Sequence, residues 1–175
     1  MISLSHGAMA NAMPRALGAQ AAFPQRQVIS MSADGGLAML MGDLLTTVQE
    51  KLPIKVAVFN NSSLSIVELE QKVEGLLDAY TNLVNPDFSR VAEAIGMWGR
   101  RVQKPEDLET AVQAWLATPG PAWLDVVTDR YELVMPPKIA VSQVMGMAMY
   151  SAKGILSGRG RGRELAELIK GAIST

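Results

Sequence analysis

Apolar residues fill positions 27–31 and 54–59 in runs too short for helices, and both read as buried strands. Between them the period changes. Over 36–51, Leu37, Leu40, Met41, Leu44 and Leu45 recur at helical spacing and mark one face. A strand, a helix and a strand at this length form a crossover unit, which makes the two strands parallel. The alternation continues along the chain. Residues 7–20, dense in Ala and Gly, read as a tightly packed helix with Pro14 in its first turn. Residues 64–77 are helical and 78–86 form a loop. Asp87 caps a helix over 88–95, which Gly96 stops. A short strand over 98–102 follows, then a helix opened by Pro105 and ending near 117, a turn over 118–121, and a buried strand over 122–127. This order predicts an α/β fold: a doubly wound, mostly parallel sheet with helices on both faces.

After Asp129 the pattern breaks. Residues 138–156 are apolar and rich in Met, 158–163 alternate Gly and Arg, and 164–173 return to a short helix with Leu165, Leu168, Ile169 and Ala172 on one stripe. The reading is a main domain over 1–135 and an extension over 136–175, with a basic hinge and a C-terminal helical tail. The Gly/Arg run is no phosphate loop, because no strand precedes it and its glycine spacing is wrong.

Composition narrows the classes. A chain of 175 residues suffices for one domain with a core. Apolar residues at 49% and a net charge of −1 exclude a disordered or nucleic-acid-binding chain. With no cysteine, disulfide and thiolate chemistry are excluded. Residues 1–6 lack the features of a secretory signal and no apolar run is long enough to span a bilayer, so a cytoplasmic location is expected.

Candidate chemistry sits at two strand ends. Asp34 and Asn61 fall just past two parallel strands, where open α/β sheets bind ligands. A carboxylate and an amide oxygen are hard ligands suited to Mg²⁺ or Ca²⁺. Mg²⁺ takes few protein carboxylates and completes its shell with phosphate oxygens and water. Gly35 and Gly36 lack a Cβ, so backbone N–H groups can approach a phosphate at a helix N-terminus. The alternative is a pair of turns that only cap helices. Their placement one crossover unit apart, each after a strand, favours a site.

Ala33-Asp34-Gly35, residues 36–59 and Asn60-Asn61 together resemble the thiamine diphosphate signature, Gly-Asp-Gly followed at helix-plus-strand distance by Asn-Asn. The stretches 6–14, 39–44, 51–55 and 155–160 further resemble the bacterial quinone-linked pyruvate dehydrogenases, or pyruvate oxidases. The resemblance covers nearly the whole chain but only the C-terminal third of such an enzyme. It implies a thiamine diphosphate-binding fold. It implies Mg²⁺ held by Asp34, Asn61 and the main-chain carbonyl of Ser63. Gly35 and Gly36 would donate to the diphosphate, and Asn61, Ser62, Ser63, Leu64, Ser65, Ile66 and Val67 would wrap its other side. Gly7, Ala8 and Met9 would hold the aminopyrimidine, with Met9 under the bend of the cofactor; on residue type alone Met9 reads as a gap-filler in a helix contact.

The same resemblance implies decarboxylation of pyruvate with electrons passed through FAD to a quinone, in a homo-oligomer. The pyrimidine-binding and FAD domains, and the glutamate that activates the cofactor, belong to other parts of such enzymes. No catalytic residue is therefore expected in this chain, nor turnover by it alone. The alternatives are a non-catalytic relic or binding module, and a related thiamine-dependent decarboxylase or acetohydroxyacid synthase.

The sequence departs from the pattern at Ala33, which replaces the first glycine of the signature, and at Ser65 and Ile66, where relatives often carry Gly and an aromatic. A methyl at Ala33 strains the turn if φ is positive there. His6, the one histidine, lies near the terminus and reads as uninvolved. Trp98, Trp115 and Trp123 read as core, and Asp43, Glu68 and Glu70 as solvated or capping charges, with Glu68 near the site. In 149–175, Lys153, Arg159, Arg161, Arg163 and Lys170 outnumber Glu164 and Glu167. That segment is expected either to meet an anionic membrane surface, as the resemblance implies, or to pack on the domain or a second subunit.

Overall fold

The computed structural model of the chain describes residues 8–131 and 141–156. His6, Gly7, the Gly/Arg stretch 158–163 and the helix expected over 164–173 lie outside them. The chain divides into two compact units: residues 1–62 with 84–128, and residues 63–83 with 129–175.

The first unit is built on four strands, β1 (Ile29–Ala33), β2 (Lys55–Asn60), β3 (Trp98–Val102) and β4 (Ala122–Val127). They form one sheet in the order β1-β2-β4-β3, with every neighbouring pair parallel. Alternation along the strands feeds two cores. Val56, Val58 and Trp123 point to one face, where they pack with Met13 and Ala16 of α1 (Ala12–Ala22), Leu37 of α2 (Asp34–Met39), Leu44 of α3 (Leu44–Gln49), and Phe88 and Ala92 of α5 (Phe88–Ala94). Ala57, Leu124 and Val102 point to the other, under Ala111 and Trp115 of α6 (Leu108–Ala117). Helices cover both faces of a parallel sheet, the α/β arrangement that the alternation predicts.

Three differences from the sequence pattern have physical causes. β1 begins at Ile29 rather than near Gln27, because pairing with β2 runs from Ile29↔Lys55 to Ala33↔Phe59. The helix expected over 36–51 is two short helices joined by a 3₁₀ turn, Met41–Asp43. Leu40 leaves the helical region (φ −128°, ψ 33°), which breaks the hydrogen-bond ladder. Lys55 lies within an otherwise apolar strand, 2% exposed. Its ammonium donates to the carbonyls of Thr118 and Gly120 and so pins the turn before β4. Burial lowers the Lys55 pKa.

The second unit pairs α4 (Ser65–Val73) with α7 (Val141–Leu156). The close approach is at Gly146, where a Cβ would stand 1.6 Å from the carbonyl oxygen of Val73. Tyr150 Oη donates to Asp78 (3.2 Å), Lys153 Nζ donates to the Gly75 carbonyl (2.7 Å), and Lys72 Nζ sits 5.3 Å from the Tyr150 ring centroid. Glu68, expected to be a solvated or capping charge, is instead 5% exposed. It accepts from Lys72 (2.7 Å), Arg130 (2.9 Å), Ser63 Oγ (3.0 Å) and Thr81 Oγ1 (3.2 Å). Burial opposes its ionisation, but the hydrogen bonds and charges of Lys72 and Arg130 outweigh it and hold the Glu68 pKa down to about 2. No helix of the described residues is long and apolar enough to cross a membrane.

Candidate cation and diphosphate site

Asp34 is the residue immediately after β1, and it is completely buried together with Gly35, Gly36 and Leu37. Three donors converge on its carboxylate. Gly35 N–H donates to Oδ1 (2.9 Å), and Ser62 N–H and Asn85 Nδ2 donate to Oδ2 (2.7 Å each). Such a set fixes the position of the carboxylate at the strand end, and a carboxylate is a hard ligand for a cation. Ser62 reaches Asp34 from just past β2 with φ 56°, a left-handed conformation rare outside glycine. Strained backbone of this kind concentrates at functional sites.

Asn60, the last residue of β2, is 2% exposed. Its amide nitrogen donates to Asp125 Oδ1 (3.1 Å), while its Oδ1 accepts from Asn85 (2.9 Å). Asp125 is fully buried and also accepts from Arg101 (3.0 Å), across the β3–β4 pair. Burial pushes the Asp125 pKa above the ordinary carboxylate range, opposed by the Asn60 hydrogen bond and the Arg101 charge. Asn61 follows Asn60 and is half-buried.

Gly36 shows why the site tolerates no side chain there. A Cβ on it would stand 2.8 Å from the carbonyl oxygen of Met9. The 3₁₀ turn Met9–Asn11 thus rests directly on the backbone of α2, which brings Ala8 and Met9 beside the Asp34 segment. Met9 is 46% exposed, with its backbone against Gly36 of α2. At Ala33, φ is −77° and ψ 161°, ordinary extended backbone. The alanine in place of the first signature glycine therefore introduces no strain.

The remaining expected residues divide by unit. Ser62 lies with Asp34 in the first. Ser63, Leu64, Ser65, Ile66 and Val67 lie in the second: Ser63 is buried against Glu68, Leu64 N–H donates to the Thr81 carbonyl (2.8 Å), and Ser65, Ile66 and Val67 open α4. Gly7 lies outside the described residues. The sequence pattern missed Asn85, Asp125 and Arg101. Asn85 sits in a stretch read as a plain loop, and its one sequence signal is Asn-Pro-Asp before a helix.

Among the described residues, no cluster of three or more His, Cys, Asp or Glu could hold a metal. The hard donors here are instead the Asp34 carboxylate at the end of β1 and the amides of Asn60 and Asn61 at the end of β2. That chemistry fits Mg²⁺ shared with a phosphate-bearing ligand.

The family described as "Thiamine pyrophosphate enzyme, C-terminal TPP binding domain" matches residues 1–126. A Bacillus subtilis protein named for containing thiamine pyrophosphate, YdaP, is 39% identical over 141 residues, covering 81% of this chain and 24% of that protein. The mitochondrial acetolactate synthase catalytic subunit of Saccharomyces cerevisiae is 34% identical over 131 residues, covering 74% of this chain and 19% of that protein. Among solved structures, the thiamine diphosphate-dependent 4-hydroxybenzoylformate decarboxylase of Rhodococcus jostii RHA1 superposes with a TM-score of 0.63 at 30% identity, over 67% of this chain and 23% of that one. The chain thus spans a quarter or less of the length of these relatives. By the family match over residues 1–126 and the shared fold, the chain belongs to the thiamine pyrophosphate enzymes, as their C-terminal TPP-binding domain.

Proposed function

We propose that this chain binds the diphosphate end of thiamine diphosphate through Mg²⁺, as the C-terminal part of an enzyme acting on pyruvate. The observation that carries the reading is the buried Asp34 carboxylate, held by three converging donors at the end of β1. When bound, the cofactor supplies the chemistry that splits the bond beside a 2-oxo group. The chain's own part is to bind and orient. Asp34 and Asn61 are the proposed ligands of the cation. Gly35 and Gly36 are the proposed backbone donors to the diphosphate, and Ala8 and Met9 are the proposed holders of the aminopyrimidine. The resemblance places the activating glutamate of such enzymes in another domain, so these residues alone are expected to hold the cofactor without turning it over.

Two fates of pyruvate fit this part of an enzyme. The stretches shared with pyruvate oxidases favour decarboxylation with electron transfer to a quinone. The acetolactate synthases among the relatives favour joining of two 2-oxo acids. The flavin, the quinone and a membrane surface rest on the pyruvate oxidase resemblance alone. Titration of the full chain with thiamine diphosphate, with and without Mg²⁺, tests the binding. Mg²⁺-dependent saturation is expected, and its absence from the intact chain overturns the reading. Assay of the parent enzyme with pyruvate then separates the fates: acetate with a reduced acceptor, or acetolactate.

A further inference from the structure

Asn85 reaches the site from the loop before α5, and its single amide nitrogen joins two oxygens. It lies 2.7 Å from Asp34 Oδ2 and 2.9 Å from Asn60 Oδ1. A carboxamide nitrogen carries two N–H donors, one for each acceptor. It brings no charge, so it does not displace a cation as an ammonium would.

The loop holding Asn85 is fixed on its C-terminal side. Pro86 restricts Asn85 to extended backbone. Asp87 caps α5, accepting from Ser89 N–H (3.0 Å) and Ser89 Oγ (2.5 Å). Phe88 is 1% exposed and stacks on Trp123 with centroids 5.5 Å apart. At the far end, Asn60 is held by Asp125, which Arg101 pairs. A continuous hydrogen-bonded path thus runs from Arg101 through Asp125, Asn60 and Asn85 to Asp34.

The path decides which oxygen of Asp34 is available. A carboxylate oxygen offers about two lone-pair positions. Ser62 and Asn85 occupy both on Oδ2, whereas Oδ1 accepts from Gly35 alone. We infer that Asn85 is a positioning residue that anchors Asp34 by Oδ2 and thereby presents Oδ1 as the single oxygen offered to the cation. This rests on the proposed role of Asp34 as cation ligand. It adds a residue that touches neither metal nor cofactor and acts through Asp34.

The test uses the full chain and its Asn85→Ala, Asn85→Leu and Asn85→Gln variants. Thiamine diphosphate binding is followed by calorimetry over a series of Mg²⁺ concentrations. Loss of an orienting partner of this kind typically weakens metal affinity about 10–100-fold. Asn85→Ala and Asn85→Leu are therefore expected to raise the Mg²⁺ needed for half-saturation at least about tenfold. At saturating Mg²⁺ the cofactor affinity should stay near that of the wild type, and Asn85→Gln should recover part of the shift. A purely structural role would instead weaken binding equally at every Mg²⁺ concentration.

Without cofactor, a double-mutant cycle of Asn85→Ala with Asp34→Asn, read by denaturant unfolding, should show non-additivity in the folding equilibrium. An unchanged Mg²⁺ midpoint in Asn85→Ala, or a uniform loss of affinity, overturns the inference while wild-type binding leaves the proposed function standing. If the wild type itself shows no Mg²⁺-dependent binding, the proposed function fails and takes the inference with it.

Discussion

Asp34 carries the most consequence per atom. Its carboxylate satisfies Gly35 N–H, Ser62 N–H and the Asn85 amide inside the first unit. Each buried donor left without an acceptor costs about 1–3 kcal/mol. Asp34→Ala should therefore abolish Mg²⁺-dependent cofactor binding and also lower stability by about 2–5 kcal/mol, measured by denaturant unfolding. Asp34→Asn keeps the shape and one acceptor, and is expected to lose binding at a smaller cost in stability. A stable Asp34→Ala protein with intact binding would remove Asp34 from the site. Ser62 makes a second case. Its φ of 56° costs a non-glycine residue roughly 1 kcal/mol. Ser62→Gly should be neutral or mildly stabilising, whereas Ser62→Val should lower the thermal midpoint, since a β-branched residue resists that conformation most.

Elements meet here through glycines as well as through apolar faces. Gly36→Ala would press a methyl to 2.8 Å from the Met9 carbonyl and push the Met9–Asn11 turn off α2. The expected cost is about 1–3 kcal/mol, with weakened thiamine diphosphate affinity in the same titration. Gly146→Ala is harsher, because its Cβ would stand 1.6 Å from the Val73 carbonyl oxygen, backbone that cannot swing aside. Hydrogen exchange should show α7 losing protection in that variant. If exchange is unchanged, the α4–α7 packing described here is wrong. The edge strand β1 exposes Ile29 and Met31 on the same face as Phe59 of β2, each more than a third accessible. Bare apolar edges favour association. Met31→Lys should accordingly raise the solubility of the isolated chain.

For the whole molecule, charge buried in the second unit sets the response to acid. Glu68 has its pKa lowered from 4.5 to about 2, so between those values the unfolded chain binds more protons than the folded one. Its contribution is full above pH 4.5 and disappears as the pH falls toward about 2. Glu68→Gln leaves Lys72 buried at 2% exposure without its carboxylate and should cost about 3–5 kcal/mol at neutral pH. The gap in thermal midpoint between that variant and the wild type should narrow as the pH falls below 4.5. A gap that stays constant would mean that the Glu68 network does not govern acid stability. Asp125 acts in the opposite sense: its raised pKa means that ionisation, as the pH climbs past the ordinary Asp range, costs the folded state. In the C-terminal segment, deletion of residues 158–175 is expected to abolish co-sedimentation with anionic vesicles. If the full chain never sediments with them, the membrane expectation is dropped.

The order of strands and helices was written in local pattern. β3 and β4 fall at 98–102 and 122–127, where apolar runs between turn signals put them. The Asp87 cap and the Gly96 stop (φ 89°) lie where side-chain chemistry and backbone freedom require. Asp34 at a strand end was likewise legible, because spacing alone places it past β1. Other features depended on partners distant in sequence. The break at Leu40 and the helix α7, with Gly146 and Gly154 inside a Met-rich run, follow from packing rather than propensity. Glu68 looks like any charge on a helix until Lys72, Arg130 and Thr81 close around it. Asn85 and Asp125 carry no local signal, since a loop asparagine and a strand aspartate acquire meaning only when folding sets them within 3.1 Å of Asp34 and Asn60. Periodicity records which face of an element is buried. Only the tertiary structure decides which polar atoms of separate elements meet, because hydrogen bonds depend on distances of a few tenths of an ångström that no spacing along the chain encodes.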